Sequence, residues 1–168
     1  RQLSTLTGNI LKLSKLENQS IISEKKTFSL DEQIRQAVLS LEPSGLQNID
    51  IDLKSSGNIF YGNEDLIFQI WTNLISNGIK FTPSGGLVSV KMTAEDSFVN
   101  VVVADNGIGM TEEVQKHIFD NLPGRSSRSM EGNGLGLTLV KKILSLCDGT
   151  IEVTSQPDLG SKFTVKLL

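Results

Sequence analysis

The stretch from Asn63 to Phe81, NEDLIFQIWTNLISNGIKF, most constrains what this chain can fold into. Leu66, Ile67, Ile70, Trp71, Leu74, Ile75 and Gly78 fall on one broad apolar or small face of a helix. A face that wide is stable only when other elements cover it. Asn73, Asn77 and Lys80 recur at i, i+4 and i+7 and share a separate polar stripe. Two carboxamides and an ammonium on one stripe suit a magnesium-phosphate ligand. Asn offers a carbonyl oxygen to a hard cation, and Lys neutralises phosphate charge. Taken alone, the stripe is better read as a solvated polar face, and only residues further along tip the balance.

Upstream, Leu3, Leu6, Ile10 and Leu13 step by three, four and three, so residues 1 to about 22 read as a helix with a heptad-like seam. Leu16 and Ile21 extend it less regularly, and Gly8 weakens it. A second helix follows in TFSLDEQIRQAVLSLEP. Ser29 is its N-cap, Glu32 the capping-box partner, Ile34, Ala37, Val38 and Leu41 the buried face, and Pro43 the stop. NIDIDLK alternates as a half-buried strand, NIFYG is a shorter one, and Asn63 caps the central helix. TPSGG turns the chain. LVSVKMTAE and SFVNVVVAD form adjacent strands, a helix spans Leu135 to Leu146, and GTIEVTS and SKFTVKL form a last pair joined through QPDLG. The pattern predicts an α/β fold, a two-layer sandwich with a mixed sheet and its helices on one face, preceded by a long N-terminal helix.

Hydrophobic residues make up 38% of the chain, enough for a core. Sixteen Lys and Arg against nineteen Asp and Glu leave a net charge of −3 with no basic patch, which argues against a nucleic-acid partner. The lone Cys147 has no internal disulfide partner and reads as a small core residue. No apolar run reaches the ~18 residues of a membrane span, and no signal peptide opens the chain. Because the chain starts at Arg1, it is expected to be a piece of something longer.

Two glycine-rich stretches carry chemistry. In DNGIGM, Asp105 ends the apolar strand run VVVAD, and a partly buried carboxylate there accepts hydrogen bonds only, which suits an exocyclic amine such as adenine N6. Capping the next turn explains the same Asp equally well. Gly107 and Gly109 permit positive φ and close ligand approach, and Ile108 and Met110 would wall the base. In GNGLGL, Gly132, Gly134 and Gly136 precede a helix whose N-terminal N–H groups suit phosphate. The spacing is also that of a dinucleotide fingerprint, but no strand leads directly into it.

Together, NLISNGIKFTPSGG, DNGIGM and GNGLGL resemble, in order, the nucleotide-binding boxes of the sensor histidine kinases, members of the wider class sharing the Bergerat ATP-binding fold. ILKLSKLENQ resembles the end of the second helix of that family's dimerisation hairpin. The resemblance implies residues 1–24 as the tail of that hairpin, without the phosphoacceptor His, and residues 25–168 as the catalytic domain, with an ATP lid at about 110–133. It implies ATP and Mg2+ as ligands, with Asn77 holding the metal, Lys80 touching phosphate and Asp105 reading adenine. Asn73 stands where hydrolysing members of the class carry a water-activating Glu, so the resemblance implies ATP held for another nucleophile. Asn73, Asn77 and Lys80 are thus the expected catalytic set.

By the same resemblance, Phe81, Gly107, Ile108, Gly109, Met110, Gly132, Asn133, Gly134, Leu135, Gly136 and Leu137 line the nucleotide. Ser161 matches a position that holds a water near the base. Arg125 or Arg128, with Arg125 preferred, would reach the γ-phosphate. Within IFDNLPGRSSRSMEG the lid departs from the family: Leu122 replaces a second Phe, and the Tyr-Arg pair after it is missing. This bears on lid closure and its docking on the phosphoacceptor helix. His117, in VQKHIFD, lacks the acidic neighbour and Pro of a phosphoacceptor and reads as a surface residue.

The function implied is transfer of the ATP γ-phosphoryl group to a histidine on a separate dimerisation segment, in two-component signal transduction. Implied with it are a response regulator receiver domain as partner, a homodimeric parent and a cytoplasmic location in a membrane-bound protein. A nucleotide-binding regulatory module is one rival, motivated by the lid. A hydrolysing ATPase is another, opposed by Asn73. A serine kinase of the anti-sigma type on the same fold is a third, opposed by the hairpin-like LSKLEN.

Overall fold

Ser29 starts the helix of TFSLDEQIRQAVLSLEP where the sequence places it: its Oγ accepts the Glu32 backbone N–H at 3.2 Å. The reciprocal half of the expected capping box does not form. Ser29 Oγ donates to Asp31 at 2.6 Å, and Glu32 turns to Gln36 and Arg35. The structure, a computed structural model, describes residues 24–41, 48–53, 59–120 and 135–168. The expected N-terminal helix, the stop at Pro43, and Arg125, Arg128, Gly132, Asn133 and Gly134 lie outside the described residues.

Within them, β1 (Lys26–Ser29) runs into α1 (Leu30–Leu41), followed by β2 (Asn48–Leu53), β3 (Ile59–Gly62), α2 (Glu64–Lys80), β4 (Leu87–Ala94) and β5 (Val99–Asp105). Then come α3 (Glu112–Lys116), α4 (Leu135–Leu146), β6 (Thr150–Gln156) and β7 (Gly160–Leu167). Five strands form one sheet in the order β2-β4-β5-β7-β6. The β2–β4 pair is parallel and the others are antiparallel, so the sheet is mixed, as expected. β1 pairs antiparallel with β3 in a separate two-stranded sheet, and β1 is a strand the sequence reading did not foresee.

Burial alternates along the strands. Val88, Val90 and Met92 of β4, Val101 and Val103 of β5, and Phe163, Val165 and Leu167 of β7 point into the core. Against them lie Leu66, Ile67, Ile70, Trp71, Leu74 and Ile75 of α2, with Leu137, Leu139, Val140, Ile143 and Leu144 of α4. The apolar face read from the sequence of α2 is therefore the buried face. Trp71 lies fully buried, and its Nε1 donates to Gln33 Oε1 at 3.0 Å, while Gln33 Nε2 donates to the Glu64 carbonyl at 2.8 Å. This pairing satisfies the indole and locks α1 onto α2. Gly78 faces the sheet, where an added Cβ would sit 3.1 Å from Val88 Cγ1.

The central helix is fixed at both ends. Asn63 Oδ1 accepts the Leu66 N–H at 3.0 Å, as its place before the apolar run predicts. At the other end the Phe81 N–H reaches the Asn77 carbonyl at 3.1 Å, and the Phe81 carbonyl accepts the Ile108 N–H at 3.1 Å. That last bond ties the end of α2 to the loop after β5.

Candidate functional site

Asp105 is the last residue of β5, an interior strand of the sheet, in register with Val88 on one side and Ser161 on the other. Its carboxylate accepts the Gly107 N–H at 2.9 Å and a backbone hydrogen bond from Ser161. Burial raises its pKa above the ordinary carboxylate value, and the two backbone donors only partly offset that. An acceptor-only group held in a half-buried place is poised to receive a ligand donor.

The loop after Asp105 owes its shape to its glycines, though not in the way the sequence suggests. Gly109 has φ +67, and an added Cβ would lie 1.9 Å from the Gln156 carbonyl oxygen. Gly107 has no positive φ. Glycine is needed there because a Cβ would meet the Phe81 carbonyl oxygen at 2.2 Å. The close approach at both glycines is to the protein's own backbone.

The β6–β7 hairpin forms the far wall of this loop. The Asp158 N–H donates to the Ile108 carbonyl at 2.7 Å, and the Met110 N–H donates to Ser155 Oγ at 2.8 Å. Gln115 of α3 clamps the junction: its Nε2 donates to the carbonyls of Ser155 at 2.8 Å and Met110 at 3.1 Å. No local pattern in the sequence announces this platform, whose partners across the hairpin lie 40 to 50 residues apart.

These elements enclose a cleft of about 230 Å³. It is lined by residues the sequence pointed to: Asn77, Phe81, Asp105, Ile108, Gly109, Met110, Leu137 and Ser161. Thr111, Val114, Ile118 and Phe163 complete the lining and were not foreseen. They are ordinary apolar or capping positions of α3, the turn after it and β7, with no local signature. Phe163 could have been found only as an inward position of β7, opposite Val103.

The polar stripe on α2 divides. Asn77 is half-buried and lines the cleft, and among the described residues no hydrogen bond engages its carboxamide. Asn73 does not line the cleft. Its Nδ2 donates to the Gln69 carbonyl at 2.6 Å, and its Oδ1 faces Gly136, where a Cβ would lie 2.8 Å away. Gly136 thus lets the first turn of α4 lie against α2. Lys80 is exposed, with its Nζ 5.7 Å from the centre of the Phe81 ring, and it stands outside the cleft lining.

His117 caps the C-terminus of α3, exposed and paired with Asp120 at 2.8 Å, which fits a surface residue. Cys147 packs half-buried against the core, and burial pushes its thiol pKa up. Among the described residues no group of three His, Cys, Asp or Glu side chains could hold a metal, and no helix is long and apolar enough to cross a membrane. A cation at this site would therefore rest on carboxamide oxygen, water and ligand phosphates. Magnesium accepts such a set, and the free Asn77 carboxamide fits it.

Residues 62–168 match the family described as histidine kinase-, DNA gyrase B- and HSP90-like ATPases. The chain is 33% identical over 165 residues to the heme sensor protein HssS of Staphylococcus saprophyticus, covering 98% of this chain and 36% of the relative. It is 30% identical over 172 residues to the sensor-like histidine kinase SenX3 of Mycobacterium tuberculosis, covering 99% of this chain and 42% of the relative. The chain therefore spans about two fifths of the length of these two relatives. Full-length ShkA in complex with AMPPNP superposes with a TM-score of 0.84 at 24% identity, over 98% of this chain and 35% of that one. Histidine kinase ThkA in complex with the response regulator protein TrrA gives a TM-score of 0.77 at 21% identity, over 98% and 46%. At these identities the structural matches establish a shared fold.

Proposed function

The chain belongs to the histidine kinase-, DNA gyrase B- and HSP90-like ATPase family, as a catalytic ATP-binding domain of the sensor histidine kinase kind, and from that premise we propose that its cleft takes the adenine end of Mg-ATP for transfer of the γ-phosphoryl group to a histidine on a separate dimerisation segment. The observation that carries the reading is Asp105, a half-buried, acceptor-only carboxylate at the end of an interior strand, set in a largely apolar cleft beside Asn77. Phe81, Ile108, Met110 and Leu137 supply the apolar contact that a base needs, and Asp105 supplies the acceptor for its exocyclic amine. At about 230 Å³ the cleft falls below the ~300–1,000 Å³ typical of sites that enclose a whole ligand, so the phosphates extend beyond it.

Asn77, at the phosphate end, would hold the Mg2+ ion through its side-chain carbonyl. The ion neutralises the charge that the phosphates carry. Lys80, one turn further along α2, and the N-terminus of α4, where helix N–H groups favour anions, would be further phosphate partners. Asn73 cannot take a proton near neutral pH, and its amide is already engaged with Gln69. That favours holding ATP for another nucleophile over activating water. Catalysis then comes mainly from positioning and charge neutralisation.

The alternating burial of β4, β5 and β7 under α2 and α4 supports a two-layer sandwich with its helices on one face, the Bergerat arrangement. The rest of the reading concerns the parent protein: residues 1–24 as the tail of a dimerisation hairpin, 25–168 as the catalytic domain, a homodimer, a response regulator receiver domain as the next acceptor, and a cytoplasmic position for this part. The ThkA–TrrA pairing supports the receiver.

The test is transfer. With γ-labelled ATP and Mg2+ this chain alone stays unlabelled on histidine, and a complete dimerisation hairpin added in trans becomes labelled. Label on a histidine of the isolated chain, or none on the hairpin although nucleotide binds, would overturn the transfer reading.

A further inference from the structure

One hydroxyl of the β6–β7 hairpin has three polar neighbours, and their chemistry dictates where its hydrogen points. Ser155 Oγ lies 2.8 Å from the Met110 backbone N, 2.9 Å from the Gly160 carbonyl O and 2.9 Å from Ser161 Oγ. A hydroxyl has one hydrogen to donate and two lone pairs to accept with. The Met110 N–H can only donate and the Gly160 carbonyl can only accept. The single Ser155 hydrogen therefore goes to Gly160, and one lone pair takes the Met110 N–H. The second lone pair receives the hydroxyl hydrogen of Ser161.

That arrangement sets what Ser161 offers to the cleft. Ser161 lines it and sits in register with Asp105, whose carboxylate its backbone N–H helps to hold. With its hydrogen turned toward Ser155, Ser161 Oγ presents only lone pairs. Asp105 presents only lone pairs as well, so this corner of the cleft is made of acceptors. An amino group placed there finds partners. A carbonyl oxygen in the same place meets electron pairs and stays buried without a donor, which is the costlier failure in a polar site.

We propose that Ser155 is a specificity-determining positioning residue, which turns the Ser161 hydrogen away from the cleft so that the site takes a 6-amino purine and rejects a 6-oxo purine. The proposal rests on the reading of the cleft as the adenine site. Ser155 touches no ligand itself and acts through Ser161. The local fold does not depend on the hydroxyl alone, because the Ser155 carbonyl is held by Gln115 and Asp158 N–H bonds Ile108 O.

The experiment is calorimetric titration of the full chain with ADP and with IDP, which carry the 6-amino and 6-oxo purine. Wild type binds ADP in preference. Ser155→Ala frees the Ser161 hydroxyl to rotate and donate, and the ADP-over-IDP preference falls by about five- to tenfold, the worth of one hydrogen bond. Ser155→Thr keeps the hydroxyl and the wild-type preference. A Ser155→Ala chain that weakens both nucleotides equally has lost only structure, and the proposal fails.

Ser161→Ala gives a signed second test that does not depend on Ser155→Ala folding. If Ser161 acts as an acceptor, its removal weakens ADP more than IDP and the preference falls. If the preference rises, Ser161 is a donor and the proposal is wrong. A wild-type chain that binds neither nucleotide overturns the adenine reading itself, whereas one that binds ADP with a preference indifferent to Ser155 overturns this proposal alone.

Discussion

Replacing Gly109 with Ala perturbs the loop that presents Asp105, and its cost can be built from the geometry. Gly109 has φ +67, where an L side chain costs about 1–2 kcal/mol. Its new Cβ would lie 1.9 Å from the Gln156 carbonyl oxygen and 2.7 Å from the carbonyl carbon. Both are backbone atoms of β6, so no rotamer change relieves the overlap. The loop must move away from the hairpin, and it is tied there by Asp158 N–H to Ile108 O at 2.7 Å and Met110 N–H to Ser155 Oγ at 2.8 Å. Losing both bonds adds about 0.5–1.5 kcal/mol each, for a total of roughly 2–5 kcal/mol. In a domain of this size that lowers Tm by about 4–20 °C. Gly85 is the control: it has φ +86 and nothing within 4 Å of an added Cβ, so Gly85→Ala carries only the backbone cost of about 1–2 kcal/mol. Denaturant unfolding of both variants is the assay. Gly109→Ala should be the less stable by about 1–3 kcal/mol. Equal losses would refute the claim that the hairpin, and not the local φ alone, shapes the loop.

Other expectations follow from the same contacts. Because burial raises the Asp105 pKa in the folded chain, that group's contribution to stability is fully present below its unfolded pKa and is lost as pH rises through the folded value. Asp105→Asn should therefore gain Tm over wild type between acid and neutral pH, and a pH-independent difference by thermal unfolding would contradict the burial argument. For the same reason, nucleotide affinity should fall as pH drops through the raised pKa, which titrations across the acid range would read. Trp71→Phe leaves Gln33 Oε1 buried without its donor, at about 1–3 kcal/mol plus the lost packing. Urea unfolding should show at least that loss, and a change under ~0.5 kcal/mol would mean the indole bond is not what joins α1 to α2.

Much of the fold was legible because α2, β4, β5, β6 and β7 each carry their own periodicity. The α2 face and its Asn63 cap follow from spacing alone. β1 was not legible, because KTFS is four residues without alternation and becomes a strand only by pairing with β3, more than thirty residues on. The same limit applies to the site. Asp105, Asn77 and the glycine loop announce themselves by residue type, and the structure brings them together. Thr111, Val114, Ile118 and Phe163 do not, since a helix cap or an apolar residue lining a cleft looks like any other cap or core residue. Gly107 was singled out for the wrong property: a backbone φ was read where a carbonyl contact decides. Helical spacing placed Asn73, Asn77 and Lys80 on one stripe, but it could not show that Gln69 would engage Asn73 or that Lys80 would stand beyond the cleft.

The most direct measurement is calorimetric titration of this chain with a non-hydrolysable ATP analogue, with and without Mg2+, on wild type and on Asp105→Asn. The account predicts binding that strengthens with Mg2+ and weakens about 10- to 100-fold in Asp105→Asn, the worth of a hydrogen bond to a charged group. Binding that ignores both the ion and Asp105, or no binding to the folded wild-type chain, would contradict it.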